Sequence, residues 1–159
     1  MPTYKDKILF NSKSTEYSWL SNFYPSPIKS TKINAVFPTV EHAYQAAKFT
    51  DPMHWEAIAR LSTGAEAKAY VKKHEWQREW TDSFKLRVME KALRLKFRGE
   101  LRKQLMSNML SGIELVHYCP WGDTFWGVDK NLVGENHQGK LIMQIREECW
   151  DQQVTDWNW

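Results

Sequence analysis

Apolar and polar positions along the chain divide it into short strands and several helices. Residues 8–10 form a brief apolar run that reads as a strand, and residues 28–37 hold two more short strands around Lys32, with Asn34 as their turn. The stretch Ser18-Trp19-Leu20-Ser21-Asn22-Phe23-Tyr24-Pro25 is an aromatic-rich loop closed by proline. Pro38-Thr39 then introduces a helix: Thr39 supplies a capping oxygen, Glu41 and His42 fall in the first turn, and Tyr44, Ala47 and Lys48 follow at helical spacing. Further helices are predicted over 53–61, stopped near Gly64, and over 65–73. The longest runs over 82–98, where Leu86, Met89, Leu93 and Phe97 recur at three- and four-residue steps, and Gly99 ends it. A helix over 101–110, stopped by Ser111-Gly112, precedes a strand over 113–118. Residues 119–139 carry Pro120, Gly122, Asp123, Gly127, Gly134 and Gly139 and read as irregular, and a helix over 140–148 follows. The tail, 151–159, is polar with two tryptophans and no predicted element. The fold class is α+β: a mainly helical single domain, 1–159, with a small β-sheet, a core of about 8–148 and a C-terminal tail over 149–159.

Composition adds bounds to that picture. With 159 residues, 42% apolar and 26% charged, the chain can bury a core without a disulfide or metal staple. Lys plus Arg number 22 against 19 acids, and a net charge of +3 is too small to imply nucleic acid by itself. The charge is uneven: residues 60–103 carry 13 Lys/Arg and 6 Asp/Glu, a local +7, against −4 elsewhere. Such a segment suits either a solvated helical face or a phosphate-bearing ligand. No apolar run approaches the ~20 residues of a membrane span, and the N-terminus lacks the apolar stretch of a signal peptide. A cytoplasmic protein with no membrane partner is expected, with Cys119 and Cys149 as reduced thiols. Nine tryptophans exceed what a core of this size obviously needs, so one or two are candidates for a stacking wall.

Standard catalytic signatures are missing from the sequence: no phosphate-binding glycine loop, no His-Glu-x-x-His, no Gly-x-Ser-x-Gly and no Cys-x-x-Cys. The five histidines show no ligand spacing, so a metal site is not expected. Two carboxylates stand out. Glu41 opens a helix, where it is either a charge favoured by the helix N-terminus or an acid with a task. Asp123 lies in Trp121-Gly122-Asp123-Thr124-Phe125-Trp126-Gly127, where it is either a turn residue or an acid desolvated among rings. Two carboxylates, flat rings and cations suit cleavage of a glycosidic bond, which passes through an oxocarbenium-like state.

Five blocks then carry a family resemblance over about residues 8–148. They are Leu20-Ser21-Asn22-Phe23-Tyr24-Pro25; Phe37-Pro38-Thr39-Val40-Glu41-His42-Ala43-Tyr44-Gln45-Ala46-Ala47-Lys48-Phe49; Trp80 with Val88-Met89-Glu90-Lys91-Ala92-Leu93-Arg94-Leu95-Lys96-Phe97; Asp123-Thr124-Phe125-Trp126-Gly127; and Asn136-His137-Gln138-Gly139-Lys140-Leu141-Ile142-Met143-Gln144-Ile145-Arg146. In order, they make the chain resemble the NADAR, or YbiA-like, family. The resemblance implies an N-glycosidase that cuts the C1′–N bond of a phosphorylated ribose without a cofactor. Three readings follow. The first is hydrolysis of phosphoribosylamino-pyrimidine intermediates of riboflavin synthesis. The second is removal of ADP-ribose from guanine in nucleic acid or nucleotides. The third is a non-catalytic ADP-ribose-binding module, against which the two acids count. Carried onto matching positions, the family pattern implies Glu41 and Asp123 as the catalytic acids. Asn22 and Asn136 would meet sugar or base, Phe23, Trp80 and Trp126 would wall the pocket, and Lys48 would meet phosphate or orient Glu41. Gly127 and Gly139 would permit close backbone approach. The aromatic approach to Asp123, with Trp121, departs from the family pattern and bears on substrate identity.

Overall fold

Strand β1, Lys7–Phe10, pairs in parallel with β4, Glu114–His117, setting Ile8 opposite Leu115 and Leu9 opposite Val116. The structure is a computed structural model that describes residues 1, 3–107, 110–148 and 155–159. A two-stranded ladder needs a covered face to persist in water. Helix α6, His137–Glu147, covers β4. Their junction is fixed by Asn136, whose backbone is left-handed at φ 53°, a conformation asparagine tolerates. Its Oδ1 accepts from the His117 N–H at 2.9 Å and its Nδ2 donates to the Leu115 carbonyl at 2.9 Å. Farther along α6, Arg146 Nη1 donates to the carbonyls of Leu110 and Ile113, both at 2.7 Å. Tyr118 extends the ladder by a bridge to Val128, with Val128 N–H donating to His117 and Cys119 N–H to Val128. Helix α5, Glu100–Leu105, buries Leu101 and Leu105, and a 3-10 turn spans Ser18–Leu20. These elements belong to one compact unit, Met1–Ser21 with Gly99–Asp151.

The second unit is Asn22–Arg98 with Gln152–Trp159. Its strands β2, Ile28–Ser30, and β3, Ala35–Phe37, form an antiparallel pair that turns through Asn34 at φ 49°. Helix α1, Val40–Ala46, is buried along its whole length and packs on α2, Pro52–Ala59, α3, Gly64–Lys72, and α4, Asp82–Lys96. Each of the four has a side-chain N-cap, from Thr39, Asp51, Thr63 and Thr81. Thr39 also fixes His42. The imidazole Nε2 lies 2.9 Å from the Leu61 carbonyl, which only accepts, so Nε2 carries the proton and Nδ1 accepts from the Thr39 hydroxyl at 2.8 Å. Burial pushes this histidine's pKa down and keeps it neutral. Val88, Met89, Ala92 and Leu93 form the buried stripe of α4.

The architecture is the expected α+β, mainly helical, but the strands make two separate two-stranded sheets. Several boundaries differ from the periodicity. Helix α1 ends at Ala46, and Lys48 follows in a turn closed by its N–H to the Gln45 carbonyl at 3.2 Å. Gly64 opens α3 rather than stopping α2, because Thr63 caps there. Helix α4 ends at Lys96, while Gly99 serves as the N-cap of α5, which runs only to Leu105. Gly139 lies within the first turn of α6. In the tail, the Asp156 carboxylate accepts from Thr31 N and Oγ1 at 2.7 and 2.6 Å. Trp157 N–H donates to the Lys29 carbonyl at 2.7 Å, and its ring is buried. Cys119 is buried and in no disulfide, whereas Cys149 and residues 151–154 lie outside the described residues. Among the described residues, no helix is long and apolar enough to cross a membrane.

Candidate active site

Glu41 is the second residue of α1, and its N–H donates to the Asn22 carbonyl at 3.1 Å. One turn on, Gln45 Nε2 donates to Glu41 Oε1 at 2.7 Å. A carboxylate accepts only, so the amide nitrogen faces Glu41. The amide oxygen, Gln45 Oε1, is then left buried with no hydrogen-bond partner. Burial is the main influence on Glu41 and pushes its carboxyl pKa up; the Gln45 bond, Lys68 and Lys48 pull against it. Gly64 makes room beside this acid. A Cβ there would come within 2.7 Å of the Phe23 ring and 3.1 Å of Glu41 Cβ. Lys68, one turn farther along α3, holds its ammonium 5.9 Å from the Phe23 ring centroid. Asn22 Nδ2 reaches Met89 Sδ at 3.6 Å.

Lys48 is buried against rings. Its ammonium lies 4.0 Å from the centroid of Trp76, 5.3 Å from Trp80 and 5.5 Å from Tyr44. Ring faces partly replace the lost water. Desolvation still lowers the lysine pKa to about 8; Glu41 opposes that shift, and Lys68 and Lys85 add to it. Trp80 meets Tyr44 edge-on at 5.3 Å. Glu41, Gln45, Lys48 and Lys68 thus combine a buried acid, an unpartnered acceptor and two cations beside flat rings. That set can exchange a proton, hold a hydroxyl, and attract an anion.

The other unit holds Asp123, Trp126, Gly127, Asn136 and Gly139. Asp123 Oδ1 accepts from the N–H groups of Phe125 at 3.1 Å and Trp126 at 2.9 Å, so its carboxylate shapes the turn that presents Trp126. Trp126 packs edge-on against Phe125 at 4.9 Å. His117, stacked on Phe10 at 5.2 Å, is pushed down to about 4 by burial, against Asp123 and a bond to the Trp126 backbone. The Asn136 amide is committed to strand β4, and Gly127 and Gly139 give close approach to that same strand: a Cβ on either would overlap the carbonyl of His117 or Leu115. Trp121, an exposed ring, lies edge-on to His117 at 6.4 Å.

Of the residues that the sequence singles out, Glu41, Lys48, Asn22, Phe23 and Trp80 lie in the Asn22–Arg98 unit. Tyr44, Gln45, Gly64, Lys68 and Trp76 join them there in the fold. The i, i+4 spacing of Glu41 and Gln45 was the one available signal. The others depend on contacts between elements.

Comparison with known proteins shows the family. The NADAR domain model matches residues 9–150. N-glycosidase YbiA of Escherichia coli (strain K12) is 36% identical over 145 residues, covering 89% of this chain and 87% of that protein. An N-glycosidase of Nostoc punctiforme is 34% identical over 139 residues, covering 83% and 85%. A riboflavin biosynthesis protein of Vibrio vulnificus is 33% identical over 145 residues, covering 89% of this chain and 38% of that protein. The solution structure of the E. coli protein YbiA superposes with a TM-score of 0.73 at 34% identity, covering 91% of this chain and 86% of that one. The chain therefore belongs to the NADAR family and is an enzyme of the N-glycosyl hydrolase class.

Proposed function

We propose that this protein hydrolyses the C1′–N bond of a phosphorylated ribose in the cytoplasm, and that its substrates are phosphoribosylamino-pyrimidine intermediates of riboflavin synthesis. The observation that carries the reading is Glu41, a buried carboxylate beside an unpartnered amide oxygen and the Lys48 ammonium. The C1′–N electron pair leaves with the pyrimidine amine, and positive charge develops on the ribose. Ionised Glu41 faces that charge, takes a proton from the water whose oxygen bonds to C1′, and passes that proton to the departing amine nitrogen, which leaves as the neutral amine. Gln45 Oε1 accepts from a ribose hydroxyl or from that water. Lys48 meets the phosphate, Trp80 and Phe23 wall the base, and Asn22 holds the loop against α1. In the other unit, Asp123 fixes the turn that carries Trp126. The riboflavin biosynthesis name of the Vibrio relative supports the pyrimidine substrate. The test is incubation with a phosphoribosylamino-pyrimidine and, separately, ADP-ribosyl-guanine, with released base read by mass spectrometry. Base from the first substrate is expected. Base from the second alone replaces the substrate with ADP-ribosyl-guanine, and base from neither overturns both substrate readings.

Lys48 gives the reaction a pH signature. Its cation is present below a pKa of about 8 and lost above it, so kcat/KM falls as pH rises through about 8. Stability moves the other way. A lysine whose folded pKa lies below its unfolded value leaves the unfolded chain holding more protons, so stability rises with pH from about 8 toward the ordinary lysine value. Lys48→Arg, which keeps the charge, carries the limb to higher pH. A limb unmoved in Lys48→Arg would assign it to another group.

A further inference from the structure

Residues 155–159 lie beyond the family match, which ends at residue 150, yet they are firmly attached. Asp156 is bound to Thr31, and the Trp157 backbone to Lys29, which seats the last residue, Trp159, on helix α4. The Trp159 ring meets Phe84 edge-on at 5.5 Å and 87°, and Lys91 lies 5.1 Å over it. Phe84 in turn meets Trp80 edge-on at 5.5 Å, and Trp80 meets Tyr44 at 5.3 Å. A ladder of rings thus runs from the C-terminus to the cage around Lys48. Trp80 and Phe84 are only half-buried, so neighbouring rings, rather than a closed core, set their orientation. Trp159 Nε1 is buried without a partner, so ring packing holds this residue and its N–H does not.

We propose that Trp159 is a positioning residue for the Lys48–Trp80 site, holding Trp80 through Phe84 in the orientation on which a substrate's flat base stacks. The inference rests on Trp80 as the base wall. It makes the tail, which the matched family segment lacks, a determinant of substrate affinity in this chain.

The test compares W159A and W159F with wild type. W159A should raise KM about fivefold, the scale of one aromatic pair, with kcat within about twofold. As Trp80 loosens and water reaches the ammonium, the alkaline limb should move up toward the ordinary lysine range. W159F, which keeps a ring and gives up only an unused N–H, should restore both. Wild-type KM and limb in W159A overturn the proposal. So does a loss of kcat and KM together with a lower melting temperature, which assigns Trp159 to folding alone. Labelling of Lys48 by an amine-selective reagent across pH, read by mass spectrometry, needs no substrate. If wild type turns over neither candidate, the functional reading fails while this measurement still decides the positioning: a labelling profile shifted in W159A and restored in W159F supports it, and identical profiles overturn it.

Discussion

Replacing Glu41 by glutamine cuts turnover by about a hundredfold or more while the protein stays folded. The loss is the scale of one proton-transfer or charge-stabilising group. Glutamine has nearly the same volume, so the packing against Gly64 and Phe23 survives. The buried carboxylate is penalised by desolvation, so a neutral amide leaves the melting temperature unchanged or raises it. Turnover and thermal unfolding measured side by side separate the two effects. Wild-type turnover in Glu41→Gln would remove this residue from the chemistry, and a lowered melting temperature would make it a fold residue instead.

Gly139→Ala has the largest expected effect on stability, a loss of about 3 kcal/mol, at the upper end for overpacking. The added methyl would overlap the Leu115 carbonyl oxygen and the Asn136 amide. Those two groups already hydrogen-bond each other, and Asn136 also takes the His117 N–H. Backbone and a committed amide cannot give way as a flexible side chain would. Relief requires α6 to lift from β4, uncovering a ladder of only two strands. Denaturant unfolding of the variant checks this, and a midpoint equal to wild type would show that the helix shifts at little cost.

Local chemistry explains what was legible beforehand. Asn34 at φ 49° and the Thr39 cap were both read in place, because a left-handed turn and an unsatisfied helix N-terminus each select residue types at a single position. The reach of α1 was overread. Ala47 and Lys48 continue the period, but the chain turns away to lay the lysine on Trp76, Trp80 and Tyr44, contacts invisible to a 3.6-residue pattern. Gly64 resembles a stop signal in the sequence because its real reason, the Phe23 ring and Glu41 Cβ, lies on other elements. The acid itself was legible as a motif residue. Its environment was not, since Gln45, Lys68 and Trp76 act through packing. The resemblance implies ligand roles for Asn136, Gly127 and Gly139, and the motif gives no sign that all three also lie against strand β4. The tail tryptophans had no periodicity to betray them, and Trp157 is held by a backbone bond to Lys29.

The parallel pairing of β1 with β4 bears on how the chain is made. Asn11, just after β1, bonds the Tyr118 carbonyl across 107 residues of sequence. On the ribosome the first strand emerges long before its partner is synthesised, and contacts of such separation form slowly. The stretch Asn22–Arg98 is complete well before then and includes α1 with its capped neighbours. Nascent chains should therefore acquire protease resistance in that middle stretch first, while the N-terminal apolar strand waits as a segment that chaperones can bind.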